Sequence, residues 1–286
     1  MTRALSEAGS APILLDTAAF PASTMLSFQD GELFLGRRAI PQPRAVYVRG
    51  LASHPFTPGF EADLDARPRG LIAQCEEKRA LLESVLLTLE RRGARLVNGI
   101  EANEQHSRKP YQLNLLRERG LPVPEWLATN DPKAVRRFVR RVGRAVYKPL
   151  AGGATVREVL AEDLTDDRLA ALTLAPVLFQ AYVPGVSVRA YVVGRRVVAA
   201  AEIHSPELDY RRGKEEVVPA RLTAEERWAV LAAARVCGMA FAGVDLIRGD
   251  AGFHILECNP SPMFAVFEDK TGLCVAEPLA SLLRTM

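Results

Sequence analysis

The chain has 286 residues, of which 48% are hydrophobic and 25% are charged, and its formal net charge is +3 at pH 7. This length and composition are ordinary for a globular protein with one large domain or two to three small ones, so a soluble enzyme is the default class. A net charge of +3 is too small to indicate a nucleic-acid or membrane partner, and neither is expected.

The cysteines predict reduced thiols rather than a zinc site or a disulfide framework. None of them has C-x-x-C or C-x-x-H spacing, so packing is their expected role, which favours the cytoplasm. The N-terminal segment carries an acid at Glu7 and has no continuous apolar core, and no run elsewhere approaches the roughly twenty apolar residues of a membrane span. We therefore expect neither export nor membrane insertion. The cysteines are Cys75, Cys237, Cys258 and Cys274.

The first third of the chain predicts strands and one long helix, without a catalytic cluster. The helix at 76–92 is the clearest element, because Leu82, Leu86 and Leu89 line one face. Gly93 follows at the position of a left-handed C-terminal cap. This third is interpreted as a scaffold or a substrate-binding domain. Strands are predicted at 12–16, 33–35, 45–50 and 96–98, and a connection at 53–69.

A second helix is predicted at 107–119, with Lys109 in its first turn and Pro110 fixing its start. From the residues alone, Lys109 is either a solvated first-turn lysine or part of a binding site. A third helix, from an N-cap at 130–132 to about Val142, has one apolar face and is otherwise basic. That basic face is either solvated or a contact for an acidic partner.

A strand is predicted at 144–149. It carries Lys148 near its end and leads into a glycine turn at Gly152 and Gly153. Small residues let backbone N–H groups approach phosphate oxygens, and the lysine adds a point charge. The pattern is therefore typical of a phosphate-binding turn, although a lysine at a surface strand end is the simpler alternative. The sequence contains neither a Walker loop nor a G-x-G-x-x-G fingerprint.

The apolar strand at 177–183 is followed by a hairpin, 187–193 with 196–203, which places Arg189 inside an apolar strand. A charge in that position requires a partner, and either an internal acid or an anionic ligand satisfies it. The polar segment 204–217 has a length that usually signals function.

Near the C-terminus, a capping box at Thr223 begins a helix to about Cys237, and strands at 242–247 and 253–259 form a hairpin. If the turn centres near Ala251, Asp245 and Glu257 lie opposite each other and Asn259 shares their face. Such oxygen ligands suit Mg²⁺ better than zinc. The alternative is an acid pair with ordinary lysine or arginine partners.

The order and spacing of these residues resemble the ATP-grasp superfamily over about residues 95–286. The resemblance implies an α+β ATP-grasp fold in three parts. These parts are an N-terminal α/β pre-ATP-grasp domain (1–105), a central lid subdomain (106–184) and a C-terminal antiparallel-sheet catalytic subdomain (185–286). The elements that carry it are Lys109, Lys148 with its glycine turn, Gln180-Ala181-Tyr182-Val183, Asp245, Glu257 and Asn259.

The resemblance also implies residue roles. Lys109, Lys148 and the turn at Gly152 and Gly153 would contact the phosphates of ATP. The hinge Gln180, Ala181, Tyr182 and Val183 would bind adenine, and Asp245, Glu257 and Asn259 would hold Mg²⁺. Arg189 would face the transferred phosphate. The implied catalytic residues are Arg189, Lys148 and Arg211. Ser187 stands where many relatives have the acid that contacts ribose.

A narrower resemblance within the superfamily includes the first third of the chain. It is carried by residues 16–21, 45–49, 97–98, 109–113, 120–124, 129–132, 205, 209–212 and 257–272. Through these residues the chain resembles the ribosomal-peptide ligases of the microviridin and graspetide type, and more distantly the ribosomal-protein glutamate ligases. This implies an ATP-dependent ligase that joins a carboxylate to an amine or hydroxyl through an acyl phosphate, on a peptide. The run from Asn259 to Phe264 departs from the Asn-Pro-x-Gly-Gln-Trp of typical microviridin ligases. A free amino-acid or dipeptide ligase with small-molecule substrates, and a nucleotide-binding module without turnover, are the alternatives. A homodimer is left open.

Overall fold

The computed structural model of the chain describes residues 1–51, 61–151, 155–205 and 215–286. The chain folds as two compact units, one formed by residues 1–100 with 279–286 and the other by residues 101–278. Across the described ranges, no helix is long and apolar enough to cross a membrane.

The helices and strands have the following bounds. The α-helices are α1 (Thr2–Glu7), α2 (Glu61–Ala66), α3 (Pro68–Arg91), α4 (Ile100–Glu104), α5 (Lys109–Glu118), α6 (Pro132–Val142), α7 (Asp166–Ala170), α8 (Ala224–Val236), α9 (Ala265–Thr271) and α10 (Ala276–Thr285). Short 3-10 helices lie at Gln105–Ser107, Ala161–Leu164 and Ala171–Thr173. The strands are β1 (Leu26–Gln29), β2 (Glu32–Leu35), β3 (Arg38–Ile40), β4 (Ala45–Tyr47), β5 (Arg95–Val97), β6 (Trp126–Thr129), β7 (Ala145–Lys148), β8 (Arg157–Glu158), β9 (Val177–Ala181), β10 (Val186–Val193), β11 (Arg196–His204), β12 (Glu216–Pro219), β13 (Phe241–Gly249) and β14 (Gly252–Asn259).

The first unit packs α3 against two small sheets. Strands β1, β2 and β3 form an antiparallel sheet, and β4 pairs with β5 in parallel. Leu86 of α3 is buried with Val48 and Leu96, as its apolar face predicts. Gly93 has a positive φ of 98°, so the predicted left-handed cap is confirmed.

Two predictions for the first unit are wrong, and a third is wrong in where its helix begins. The segment 12–16 is not a strand, and its apolar Ile13 and Leu14 are 43% and 72% exposed. The connection predicted at 53–69 includes α2, while residues 52–60 lie outside the described ranges. Helix α3 also begins at Pro68 rather than at Glu76, because a proline is well suited to the first turn of a helix.

The second unit contains two antiparallel sheets. The larger has the strand order β12-β11-β10-β13-β14, and the smaller has the order β6-β9-β7-β8. Helices α5 and α8 pack on one face of the larger sheet, where Leu116 and Val230 join Val188 and Val244 in one buried core. The sheet's other face is therefore available for polar side chains. Helix α6 covers the smaller sheet through Val135 and Phe138.

Several predicted elements of this unit are confirmed. The β10–β11 hairpin forms as expected, and Thr223 and Glu226 make the capping box of α8. Helix α6 begins at the predicted cap, where the Asp131 carboxylate accepts a hydrogen bond from the backbone N–H of Lys133. The predicted segment 204–217 is bounded by β11 and β12, and its residues 206–214 lie outside the described ranges.

The basic face of α6 pairs with acids of the same unit. Arg136 lies 2.5 Å from Asp166, and Arg141 lies 2.8 Å from Glu125. The arginine side chains are 34% and 63% exposed, which favours the interpretation as a solvated face.

Candidate active site

The polar face of the larger sheet follows from strand alternation. In β10, Val188 and Ala190 enter the core, so Arg189 and Tyr191 project to the opposite face. In β13, Val244 enters the core in the same way, which leaves Asp245 beside Arg189 in the strand register.

A β-bulge at Leu256 brings β14 into this arrangement. Leu246 of β13 pairs with Ile255, whereas the next residue, Asp245, pairs with Glu257. Leu256 is therefore the extra residue, and it shifts the alternation of β14 by one position. Glu257 and Asn259 consequently lie on the same face as Asp245. The predicted opposition of Asp245 and Glu257 is confirmed.

Arg189 and Asp245 form a two-point ion pair. The Nη2 atom of Arg189 lies 2.6 Å from Oδ2 of Asp245, and its Nε donates to Oδ1. The side chains are only 15% and 16% exposed. Burial raises the pKa of Asp245, and the guanidinium of Arg189 opposes that effect. Of the two partners considered for Arg189, the structure therefore contains the internal acid.

Glu257 pairs with two lysines from distant parts of the chain. Its Oε2 lies 2.9 Å from Nζ of Lys109 and 3.7 Å from Nζ of Lys148. Burial alone would raise the pKa of Glu257, but the ammonium groups of Lys148 and Lys109 lower it to about 2. Burial lowers the pKa of Lys148, and Glu257 counteracts this.

Both lysines are buried rather than solvated. The side chain of Lys109 is 9% exposed and that of Lys148 is 14% exposed. Lys109 lies in the first turn of α5, and Lys148 is the last residue of β7. The alternatives of a solvated first-turn lysine and a lysine at a surface strand end are therefore wrong.

The segment that follows β14 packs back onto the polar face of the sheet. Oδ1 of Asn259 accepts a hydrogen bond from the backbone N–H of Ser261 at 2.9 Å. The buried hydroxyl of Tyr191 donates to the carbonyl of Met263 at 2.6 Å. A Cβ on Gly243 would lie 2.7 Å from Cβ of Pro262, so only glycine permits this close approach. The sequence interpretation did not include Tyr191, although its position two residues after Arg189 places it on the same face.

The predicted hinge lies at the end of β9, the second strand of the smaller sheet. Gln180 is 3% exposed, and its Nε2 is a buried donor without a hydrogen-bond partner among the described residues. Ala181 ends the strand. The ring of Tyr182 stacks under the guanidinium of Arg144, whose Cζ lies 3.7 Å from the ring centroid, and Val183 follows.

No described interaction connects Ser187 with the cluster formed by Arg189, Asp245, Glu257, Lys109 and Lys148. Ser187 is half-buried in β10, where it pairs with Ile203 and Ile247. Gly152, Gly153 and Arg211 lie outside the described residues.

The charged side chains of this cluster suit a hard cation and a polyanion bound together. Three cations (Arg189, Lys109 and Lys148) and two carboxylates (Asp245 and Glu257) leave this cluster with an excess of one positive charge. The carboxylates are neutralised by side chains, so their proximity does not by itself require a metal. No group of three or more His, Cys, Asp or Glu residues suited to a metal occurs in the described part of the chain. A polyanion that binds the two ammonium groups would release oxygens of Glu257 for a cation such as Mg²⁺.

Comparison with known proteins identifies the family of the chain. The model of the RimK-like ATP-grasp domain matches residues 107–283. The chain belongs to the RimK-like ATP-grasp family. The predicted ATP-grasp fold is therefore confirmed, whereas the predicted domain boundaries at 105/106 and 184/185 stay predictions.

Relatives with known names include both glutamate ligases and peptide-bound ligases. "Probable alpha-L-glutamate ligase 1" of Shewanella baltica is 35% identical over 188 residues, which cover 61% of this chain and 62% of that protein. The match thus spans about three fifths of the length of the curated relatives. The ATP-grasp ligase PsnB, solved with a phosphomimetic variant of minimal precursor, Mg and ADP, is 37% identical with a TM-score of 0.90. That match covers 99% of this chain and 93% of PsnB.

A more distant structure agrees at the level of the fold. The macrocyclase MdnC of Microcystis aeruginosa, solved with its precursor peptide MdnA, is 22% identical with a TM-score of 0.83. The match covers 99% of this chain and 94% of MdnC. The predicted resemblance to the ribosomal-peptide and glutamate ligases of the superfamily is confirmed.

Proposed function

We propose that the chain is an ATP- and Mg²⁺-dependent ligase that joins a carboxylate to an amine or a hydroxyl. The observation that carries this proposal is the meeting of two buried lysines at a single carboxylate oxygen of Glu257. Two ammonium groups that share one oxygen retain donors for the oxygens of a triphosphate. Family membership supports the same conclusion.

Each residue of the cluster has a proposed role in binding. Lys109 and Lys148, with the turn at Gly152 and Gly153, hold the phosphates of ATP. Asp245, Glu257 and Asn259 supply oxygens to Mg²⁺, which would neutralise phosphate charge when bound. The hinge residues Gln180, Ala181, Tyr182 and Val183 bind the base. The Nε2 of Gln180, which has no hydrogen-bond partner among the described residues, supplies a donor there. Ser187 is assigned beside the ribose.

The reaction requires positioning and charge neutralisation rather than a nucleophilic side chain. An oxygen of the substrate carboxylate attacks the terminal phosphorus of ATP, which gives an acyl phosphate and releases ADP. An amine or hydroxyl then attacks the acyl carbon, loses its proton, and inorganic phosphate leaves. Arg189, with Arg211 and Lys148, stabilises the negative charge of the transferred phosphoryl group. Water must be excluded because an acyl phosphate hydrolyses.

A ribosomally made peptide is the proposed substrate. The support is the 37% identity to PsnB over nearly the whole of both chains, since that ligase was solved with a precursor. A free amino-acid or dipeptide ligase is the second candidate, favoured by the 35% identity to a probable glutamate ligase. We further assign the protein to the cytoplasm. We divide it into domains at 1–105, 106–184 and 185–286, and a homodimer is the assembly to test.

The test is ADP release with candidate peptides, followed by mass spectrometry of the product. A peptide ligase forms ADP, and the peptide loses the elements of one water for each bond formed within it. A free amino-acid ligase instead enlarges a small amine by one acyl unit. Glu257→Gln and Lys148→Ala should abolish ADP formation, while Lys133→Gln, on the solvated face of α6, should retain it. Nucleotide binding without ADP formation for any peptide or amino acid would leave a binding module without turnover.

A further inference from the structure

Strand β14 is completed at its outer edge by a glutamine side chain. It is the last strand in the order of the larger sheet described above, so one side of its backbone is not paired by a strand there. At Cys258 the carboxamide of Gln112 takes the place of a neighbouring strand. Its Nε2 donates to the Cys258 carbonyl at 2.9 Å, and its Oε1 accepts from the Cys258 N–H at 2.8 Å.

This contact is buried and two-sided. Gln112 is 2% exposed, as is Cys258, so an unpaired backbone group at this point would be costly. The carboxamide is planar, and two simultaneous bonds fix the orientation of the Cys258 backbone. Since Glu257 and Asn259 flank Cys258, the directions of their side chains are fixed with it.

Helix α5 carries both contacts to this strand. Lys109 and Gln112 are three residues apart, which places them on the same face of the helix. Lys109 contacts the side chain of Glu257, and Gln112 binds the backbone of the next residue. The helix is therefore held in register with the residues proposed to bind Mg²⁺ and phosphate.

We propose that Gln112 is a positioning residue for the magnesium-nucleotide site, and that it acts through the backbone of Cys258. This inference rests on the proposed function. Gln112 contacts the strand rather than the nucleotide, so its loss should misalign Glu257 and Asn259 without removing a ligand. Residues that orient metal ligands in this way commonly change metal affinity about 10–100-fold when they are replaced.

The same stretch of chain offers a matched control. Gln105 is 5% exposed, and its Nε2 donates to the Cys237 carbonyl at 2.8 Å. That bond holds the segment before α5 at the carbonyl of Cys237, next to the end of α8, rather than at the backbone of β14. Gln105→Leu and Gln112→Leu each replace a buried amide by an apolar side chain of similar size. Gln105→Leu leaves the carbonyl of Cys237 without this donor, and Gln112→Leu leaves both the carbonyl and the N–H of Cys258 without their partner.

The experiment compares nucleotide affinity and thermal stability in both variants and in the wild-type chain. A fluorescent ATP analogue is titrated with Mg²⁺ and, separately, with EDTA, and the midpoint of thermal unfolding is measured without ligand. Both variants should unfold at lower temperature. Only Gln112→Leu should weaken binding in the presence of Mg²⁺, by about tenfold or more, with a smaller change in EDTA.

Other outcomes would overturn the inference. If Gln112→Leu binds the analogue with Mg²⁺ as tightly as the wild type, or if Gln105→Leu weakens binding equally, Gln112 has only a structural role. If Gln112→Leu does not fold, Gln112→Glu serves instead. Glutamate keeps the acceptor for the Cys258 N–H and loses the donor to the Cys258 carbonyl. Wild-type nucleotide affinity in that variant would contradict the proposal. A wild-type chain that binds no nucleotide with Mg²⁺ would instead contradict the proposed function.

Discussion

The contact between Lys109 and Glu257 gives the most quantitative prediction, through a double-mutant cycle. The two side chains are 9% and 26% exposed, and Nζ lies 2.9 Å from Oε2. At an effective dielectric constant near 20, unit charges at about 4 Å attract by about 4 kcal/mol. Desolvation offsets much of this attraction, and removal of one partner from a buried pair costs about 3–5 kcal/mol. Because glutamine keeps an acceptor, Glu257→Gln should lower the free energy of unfolding by about 2–3 kcal/mol.

The double variant distinguishes a preformed pair from two independent residues. Lys109→Met with Glu257→Gln should cost less than the sum of the single variants, with a coupling energy of about 1–3 kcal/mol. The measurement is urea denaturation at pH 7. The control is the helical pair Arg79 and Glu83, whose side chains are 47% and 26% exposed. This exposed pair should show a coupling energy of about 0.5 kcal/mol or less. Additive effects of Lys109→Met and Glu257→Gln would refute the preformed cluster.

Two further predictions concern the larger sheet. Burial alone would raise the pKa of Glu226, but the bond from Arg248 helps to hold that pKa below its ordinary value. Glu226 therefore contributes stability above about pH 4.3, and this stability is lost as the pH falls through the lowered pKa of the folded state. Arg248→Met should flatten that loss in urea denaturation measured from pH 6 to about pH 3, and an unchanged slope would contradict the role of the pair. Gly243→Ala places a Cβ 2.7 Å from Pro262 and should destabilise the protein by about 1–3 kcal/mol. Gly50→Ala, whose added Cβ meets no atom of the described residues within 4 Å, should change stability by about 0.5 kcal/mol or less. Equal effects of the two glycine substitutions would show that the close approach to Pro262 is unimportant.

Local patterns predicted the secondary structure best where caps and turns are explicit. The capping box at Thr223 and the cap at Asp131 are encoded within four residues, and both helices begin where expected. The short apolar run at 12–16 lacks such signals. Its exposure depends on what packs against it, and a run of this length does not carry that information.

The candidate site shows the same division between local and distant information. The length of the β13–β14 hairpin predicted that Asp245 faces Glu257, but the bulge at Leu256 that makes this possible has no sequence signal that we recognised. The burial of Lys109 depends on Glu257, far along the chain, so the local pattern could not exclude a solvated lysine. Only the resemblance to ATP-grasp proteins indicated that these residues belong to one site. Gln112 was not identified, because a buried glutamine in a helix looks like any other polar residue before its partner is known.

The most direct test of the central claim is an anomalous-scattering crystal structure of the protein with Mn²⁺ and a non-hydrolysable ATP analogue. We expect a manganese peak bound by oxygens of Asp245, Glu257 and Asn259 at about 2.2 Å, with phosphate oxygens on Lys109 and Lys148. A triphosphate bound elsewhere, or a Glu257 that still pairs with both lysines and holds no cation, would contradict the account.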